Sequence, residues 1–509
     1  MSLNTAPLAA VLLLLVCLVA PSRGSVTKRN VLFLVADDMR PEIGAYVSPD
    51  FPSPIHPKIH TPHLDSLAKK SLLLKRAYVQ QALCSPSRTS LLTGRRPDTT
   101  RTHGLYHYFR KIAGNFTTIP QYFKENGYTA LAMGKIFHPG HTSGGDDPIS
   151  WSERNWQPDL SHWWKDMGVT WTMADDSEVV AHPLEDMQVA ARAVNTLKAL
   201  AKSEKPFFLA AGFRRPHLPF LCPKKFYDLY PKKAIRLPNN GFTPNLMPEV
   251  AWSYNAEMRQ YSDLVDHRWY GEINVTLPDE KTLALRRAYY ACTSYTDSLV
   301  GQVVDTLAEL GLENNTVVAF WGDHGWNLGE NAAWSKCTNF ELATHAPMII
   351  RVPGLTDSGV VTEGLTEFVD LFPTLAEAAG LEPVPLCPKN SESVQTCTEG
   401  ISLLPLMSNP KRKWKSAAFS QYPRLCISGD VVMGYTMRTD RYRYTEWMLY
   451  DDARFKNLGV IHMNSVELYD HEKDPEENHN FAFDPEYKEI RQALHKQLEG
   501  GWRHALPDV

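Results

Sequence analysis

A chain of 509 residues can bury a large core and carry two units, or one unit with a sizeable appendage. Its net charge of −4 gives no overall attraction to nucleic acid or to an anionic membrane surface, so any polyanion must be met by local basic residues. Apart from an apolar run at residues 7–20, no segment is long and apolar enough to cross a bilayer.

That run is too short for a membrane span. Small residues follow it, so residues 1–24 read as a signal peptide, and secretory entry without membrane insertion is expected. Three N-x-[ST] sequons, at Asn115, Asn274 and Asn314, suit such a route and fall near loops or element edges. Residues 30–36 (NVLFLVA) form a continuous apolar stretch, the mark of a strand buried on both faces, and run into Asp37-Asp38. Residues 61–74 read as a helix capped by Thr61 with Pro62 in its first turn. In Cys84-Ser85-Pro86-Ser87-Arg88, the thiol stands one step ahead of a helix start, and Gly94 supplies the stop. Free backbone N–H groups there attract an anion, and Arg88 adds a permanent charge with planar donors. A helix at 119–126 and a strand at 128–133 come next, the latter running into Lys135 and His138; a further strand at 206–211 precedes His217.

Residues 286–310 give the clearest helix, with Tyr289, Cys292, Tyr295, Leu299, Val303 and Leu307 at helical spacing and Gly311 ending it. Strands at 316–321 and 347–352 follow, the first running into Asp323-His324. Strands alternating with helices predict a mostly parallel α/β sheet whose carboxyl ends gather the chemistry. Asp37, Asp38, Asp323 and His324 would then share one sheet edge, and a calcium or magnesium ion is the simplest remedy for their repulsion. The stretches 151–182 and 231–279 lack periodicity and read as substrate-facing loops. From 409 the pattern changes to short antiparallel strands at 417–422, 431–438, 442–448 and 467–469 and a helix at 485–499. The domain reading is therefore 25–408 for a catalytic unit and 409–509 for a smaller α+β unit. Cys387 and Cys397 flank a short polar loop and are expected to pair, Cys292 is expected to be a free core thiol, and the pairing of Cys222, Cys337 and Cys426 stays open.

C-x-P-x-R with the trailing Thr93-Gly94-Arg95 resembles the first signature of the sulfatase family. Gly127-Tyr128 through Gly134-Lys135 to His138 resembles the second, with Ala130 where a threonine is usual. Further stretches, among them Gln80-Gln81-Ala82-Leu83, Arg96-Pro97-Asp98-Thr99-Thr100-Arg101, Pro216-His217 and Ser420-Gln421-Tyr422-Pro423, narrow the resemblance to sulfatases that remove the 2-O-sulfate of terminal iduronate in heparan and dermatan sulfate. The resemblance implies an alkaline-phosphatase-like fold with a large, mostly parallel sheet, one calcium ion, and a lysosomal destination. Cys84 would be converted to formylglycine by a formylglycine-generating enzyme. Calcium would be held by Asp37, Asp38, the modified Cys84, Asp323 and His324. Hydrated formylglycine would attack sulfur, with Arg88 at the diol and Lys135 and Lys336 on the sulfuryl oxygens. His217 or Lys336 would protonate the departing hydroxyl, and His138 would take the proton that frees sulfate. Arg95, Arg101, Lys336 and His217 are expected to meet the sugar carboxylate. Alternatives are a sulfatase for another sulfated sugar, a phosphoester or phosphonate hydrolase, and a silent glycosaminoglycan-binding relative. Three departures bear on the substrate side: Leu328-Gly329-Glu330 leads to Asn331 where the family usually carries G-x-H, Cys337 replaces an aromatic, and a disulfide-bearing loop after Trp151 is missing.

Overall fold

The computed structural model describes residues 28–47, 56–140, 142–265, 271–425, 429–451, 454, 456–460 and 465–507. The signal-peptide reading and Cys426 lie outside them. Seven strands form the central sheet: β1 (Asn30–Asp37), β2 (Leu72–Leu74), β3 (Thr129–Gly134), β4 (Phe207–Pro216), β5 (Thr316–Gly322), β6 (Met348–Arg351) and β7 (Val360–Thr362). Their order is β7-β2-β6-β5-β1-β4-β3. β3, β4, β1 and β5 run parallel, with Val31 opposite both Phe208 and Val317, whereas β6 is antiparallel to β5 and to β2. The sheet is thus mostly parallel, and it carries its chemistry on the parallel half.

Every residue of β1 and β5 is buried. Alternate side chains feed opposite cores. Leu32, Leu34, Leu209 and Phe320 pack beneath helices at Glu185–Leu200 and Asp279–Glu309, and Val31, Phe33, Phe208 and Val317 beneath helices at Ile119–Glu125 and Leu371–Ala378. Two-sided burial explains why these strands read as unbroken apolar runs rather than alternating ones.

The helix expected over 61–74 stops early. It spans Pro62–Ala68, and Leu72–Leu74 turns back as β2, each leucine buried between β6 and β7. Three consecutive buried leucines suit a strand covered on both faces, and pairing overrides helical propensity there. The long helix begins seven residues before the expected start, at Asp279. The stretch 151–182 is not all loop: its strand Trp171–Ala174 pairs with Phe220–Pro223. Cys222 and Cys292 are buried free thiols, and Cys387 and Cys397 are joined by a disulfide. Asn115, Asn274 and Asn314 are all exposed.

The C-terminal unit is an antiparallel sheet of Ala418–Leu425, Val431–Arg438, Tyr442–Asp451, Lys456–Val460 and Val466–Asp470, with a helix at Lys488–His504 packed on it. The strand at Lys456–Val460 has no counterpart in the sequence reading. This sheet is fastened to the catalytic half by buried charge. The Lys415 ammonium lies 2.8 Å from Glu367 and 2.6 Å from Asp370, and Arg96 grips Glu367 with two bonds of 2.7 Å. Removing one partner of such a cluster leaves an uncompensated buried charge. Lys415→Met should therefore lower the unfolding free energy by about 3–5 kcal/mol, measured as a lower urea midpoint. A shift below about 1 kcal/mol would mean the junction is held by packing alone.

Candidate active site

The signature segment forms helix α1 (Cys84–Thr93), every residue of it buried. Cys84 is the first helical residue, one position further in than expected, with Leu83 as the extended cap. Gly94, at φ +65°, closes the far end in the left-handed region that glycine tolerates best. The helix start points at the carboxyl ends of β1, β3, β4 and β5, so Asp37, Lys135, His217 and Asp323 converge on Cys84 from four neighbouring strands.

Arg88, one turn into the helix, ties these ends together. Its Nε donates to Asp323 Oδ2 at 2.8 Å and one terminal nitrogen to Asp37 Oδ1 at 3.1 Å. The other donates to the carbonyls of Ile136 (2.9 Å) and Lys135. The Lys135 ammonium donates to Asp37 Oδ2 and stands 3.6 Å from the Cys84 sulfur. Asp38, at φ 61°, donates its backbone N–H to Asp323 Oδ1 at 2.9 Å, and its carbonyl accepts from the Tyr289 hydroxyl at 2.7 Å. Its carboxylate takes the Lys336 ammonium at 2.9 and 3.0 Å.

His324 presents Nδ1 to the Gly325 carbonyl at 3.0 Å. A proton there leaves Nε2 facing the Cys84 sulfur at 3.3 Å and Asp38 Oδ1 at 3.4 Å. Asp37, Asp38, Cys84 and His324 each place one donor atom within 4.8 Å of the others. Hard carboxylate oxygens with one imidazole, buried and convergent, fit a divalent cation. Both oxygens of Asp323, the fifth expected ligand, are engaged by Arg88 and the Asp38 amide.

The carboxylates repel one another less than their sequence suggests, because each is already countered by a cation. Asp37, Asp38 and Asp323 face Arg88, Lys135 and Lys336, all buried. A fourth carboxylate, Glu257, tips the balance. Its Oε1 lies 3.1 Å from the Lys336 ammonium and 3.2 Å from His217 Nε2. Glu257 was not found from sequence because it sits in the aperiodic 231–279 stretch, where no motif or spacing marks it.

Protonation follows this balance. Burial would raise Asp37, but Lys135, His217 and Arg88 hold it well below the usual carboxylate range. Burial raises Asp38 to about 7, with Asp37 and Glu257 adding to the rise against the pull of Lys336 and His324. Burial and the Asp37 charge push the Cys84 thiol well up, so it stays protonated at neutral pH. Burial and Lys135 bring His138 down to about 3. Burial and Lys336 also lower His217, although Asp37 and Glu257 oppose them. Lys336 stays charged: burial works against it, but Asp38 and Glu257 are among the groups that push it well above its ordinary value.

Two expected sugar contacts lie elsewhere. Arg95 is fully buried, with its guanidinium 3.0 Å from the Ser391 carbonyl and 4.1 Å over the Phe116 ring, clasping the loop closed by Cys387 and Cys397. Arg101 lies 3.7 Å from Glu392 of that same loop. Both follow the carboxyl end of α1, and a ten-residue helix holds its ends ~15 Å apart. Charge and position alone suggested them, and in the structure Arg95 is spent on the disulfide loop while Arg101 faces Glu392. Of the departures, Glu330 is buried among Arg40 (3.1 Å), Arg286 (3.1 Å) and His56 (3.6 Å). Cys337 sits half-buried beside Lys336. A separate cavity of about 620 Å³, lined by Arg96, Asp98, Tyr435, Glu446 and Trp502 among others, contains none of the residues of this centre.

The mostly parallel sheet, with a buried centre of carboxylates, lysines and histidines at its carboxyl edge, has the alkaline-phosphatase-like fold. The sulfatase sequence profile matches residues 29–381, and the chain belongs to the sulfatase family. It is a sulfuric ester hydrolase. A second profile, of the N-sulphoglucosamine sulphohydrolase C-terminal region, matches residues 329–503. The chain is 36% identical to iduronate 2-sulfatase of Mus musculus and to that of Homo sapiens, over 91% of its own length and 93% of theirs. It is 27% identical to choline-sulfatase of Rhizobium meliloti, over 90% of its length and 83% of that protein. Among solved structures, phosphonate monoester hydrolase of Agrobacterium radiobacter shares the fold, with a TM-score of 0.69, 21% identity, and coverage of 93% of this chain and 95% of that one.

In protein stripped of divalent cations, the raised Asp38 carboxyl has a definite sign. Its contribution to stability is complete below the ordinary value of 3.8 and is lost as pH rises through about 7. Between about pH 5 and about pH 8 the wild type should lose roughly 2–3 kcal/mol relative to Asp38→Asn, read from urea midpoints. Parallel curves for the two proteins would refute the assignment.

Proposed function

We propose that this enzyme removes the 2-O-sulfate from terminal iduronate of heparan and dermatan sulfate through a formylglycine formed at Cys84. The substrate reading is supported by 36% identity to two iduronate 2-sulfatases over 91% of the chain. The observation that carries the chemistry is the place of Cys84, at the first position of a buried helix, with Asp37, His324 and Lys135 around its sulfur. Its raised pKa makes the thiol itself a poor nucleophile. Conversion by a formylglycine-generating enzyme supplies a hydrated aldehyde, one hydroxyl to attack sulfur and the other to let sulfate leave. Asp37, Asp38, position 84, Asp323 and His324 would hold calcium, which when bound adds positive charge beside the sulfuryl oxygens.

The chain's own residues do the rest. Arg88 holds position 84 and its carboxylate neighbours in register. The Lys135 and Lys336 ammonium groups meet charge developing on the sulfuryl oxygens. Lys336 or His217 protonates the departing sugar hydroxyl. His138, unprotonated at any pH well above 3, accepts the proton whose removal frees sulfate. The exposed Asn115, Asn274 and Asn314 would carry glycans, and the route runs through the secretory pathway to the lysosome. A second reading, a sulfatase for another sulfated sugar, is favoured by Asn331 and Cys337 replacing family residues on the substrate side.

Protein secreted from eukaryotic cells should show an aldehyde at position 84 by mass spectrometry of the tryptic peptide from Ala77 to Arg88. It should release sulfate from a disaccharide ending in 2-O-sulfated iduronate, and not from glucosamine 6-sulfate. Chelation should abolish release and calcium restore it, while Cys84→Ala should lower kcat at least about 10³-fold. An unmodified thiol from cells that convert other sulfatases would overturn the mechanism, and release from glucosamine 6-sulfate alone would overturn the substrate.

A further inference from the structure

Lys336 and His217, the two groups on the leaving side, come from distant parts of the chain, and one oxygen joins them. Glu257 Oε1 lies 3.1 Å from the Lys336 ammonium and 3.2 Å from His217 Nε2. Lys336 is thereby held between two carboxylates, Asp38 on one side and Glu257 on the other. His217 Nε2 is 4.0 Å from the nearest oxygens of Asp37 and Asp38, so Glu257 is the nearest of the three carboxylates. The other Glu257 oxygen is buried without a partner. A carboxylate so placed is held by its two cationic or imidazole neighbours and not by a separate set of bonds.

The segment that brings Glu257 here is anchored on both sides of it. Asn255, buried at φ 48°, accepts the Trp334 backbone N–H at 2.9 Å, and Met258 is fully buried. Upstream, buried Trp252 donates from its ring nitrogen to the Gly271 carbonyl at 2.8 Å. Two of these anchors are tied to Trp334, two residues before Lys336, and to the far end of the same stretch. A mobile surface loop would show none of this.

We infer that Glu257 is a positioning residue for the leaving-group side of the reaction, fixing Lys336 and His217 against each other so that the departing hydroxyl meets a proton donor. The inference rests on the sulfatase reading above. Without Glu257, Lys336 keeps only its bonds to Asp38 and is drawn toward the cation-binding carboxylates, and His217 keeps the Leu218 carbonyl at Nδ1 but loses its nearest carboxylate at Nε2. Charge-assisted hydrogen bonds of this kind set geometry as well as energy.

Leaving-group dependence separates this role from a merely structural one. A sugar sulfate expels a strongly basic alkoxide and needs a proton, whereas p-nitrophenyl sulfate expels a stable phenolate and scarcely does. Glu257→Gln, close to isosteric, and Glu257→Ala are assayed in formylglycine-bearing, calcium-loaded enzyme, with melting temperatures checked first. On a 2-O-sulfated iduronate disaccharide, kcat should fall about 100-fold with KM changed less than about 3-fold, and on p-nitrophenyl sulfate kcat should fall less than about 5-fold. Equal losses on both substrates, or no loss on either, overturn the inference. Should Glu257→Ala fail to fold, the Gln variant carries the same comparison. Failure of the underlying reading looks different, because the wild-type enzyme itself would then release no sulfate from either compound.

Discussion

The Arg88 guanidinium is the interaction on which the centre depends. It is completely buried, and its bonds reach the ends of three parallel strands: Asp37 on β1, the Lys135 and Ile136 carbonyls beyond β3, and Asp323 beyond β5. A planar group with donors on three nitrogens can span these directions, and a lysine ammonium cannot. Because Arg88 lies one turn beyond Cys84 on the same helix, fixing the arginine also fixes the distance from the helix start to the carboxylates. The spacing Cys-x-x-x-Arg is thus a consequence of helical pitch, four residues bringing both side chains to one face.

Around that arginine the centre runs close to electrical balance, with a small negative surplus. Asp37, Asp38, Asp323 and Glu257 oppose Arg88, Lys135 and Lys336. The surplus is unevenly felt. Asp37, next to Lys135 and Arg88, is stabilised as the anion, while Asp38, with Asp37 and Glu257 nearby, is pushed toward protonation. A carboxylate poised in this way is relieved by either a proton or a cation, and an imidazole nitrogen and a second carboxylate share its donor cluster. The two halves of the site therefore differ in character. The Asp37 side is locked by permanent charge, and the Asp38 side is left responsive to what binds.

Much of this was legible in sequence, for a physical reason. Strands buried on both faces leave unbroken apolar runs, and their carboxyl ends then mark where Asp37, Lys135, His217 and Asp323 must meet. The errors are equally physical. Leu72–Leu74 looked helical because it follows a genuine helix, and only its partners β6 and β7 make it a strand. Arg95 was suggested by charge and position alone, yet it follows the far end of the helix and binds the carbonyls of the disulfide loop. Glu257 left no trace, since its position depends on contacts by Asn255 and Met258 that are distant in sequence and carry no periodicity.

The backbone that delivers Lys336 shows what such placement costs. Asn331, Ala332, Ser335 and Cys337 all have positive φ, at 54°, 55°, 70° and 70°. For residues other than glycine each such conformation costs about 1–2 kcal/mol, so four of them between Asn331 and Cys337 persist only if the surroundings hold them. They do. Glu330, just before them, is gripped by Arg40 and Arg286, the Asn331 amide donates to the Glu476 carbonyl at 3.1 Å, and the Asn327 amide donates to the Ser335 carbonyl at 2.8 Å. The departure at Asn331 thus falls within the scaffold of this turn. Substrate-side variation and the placement of Lys336 are consequently coupled: a change that relaxes the turn also moves the ammonium that Asp38 and Glu257 hold between them.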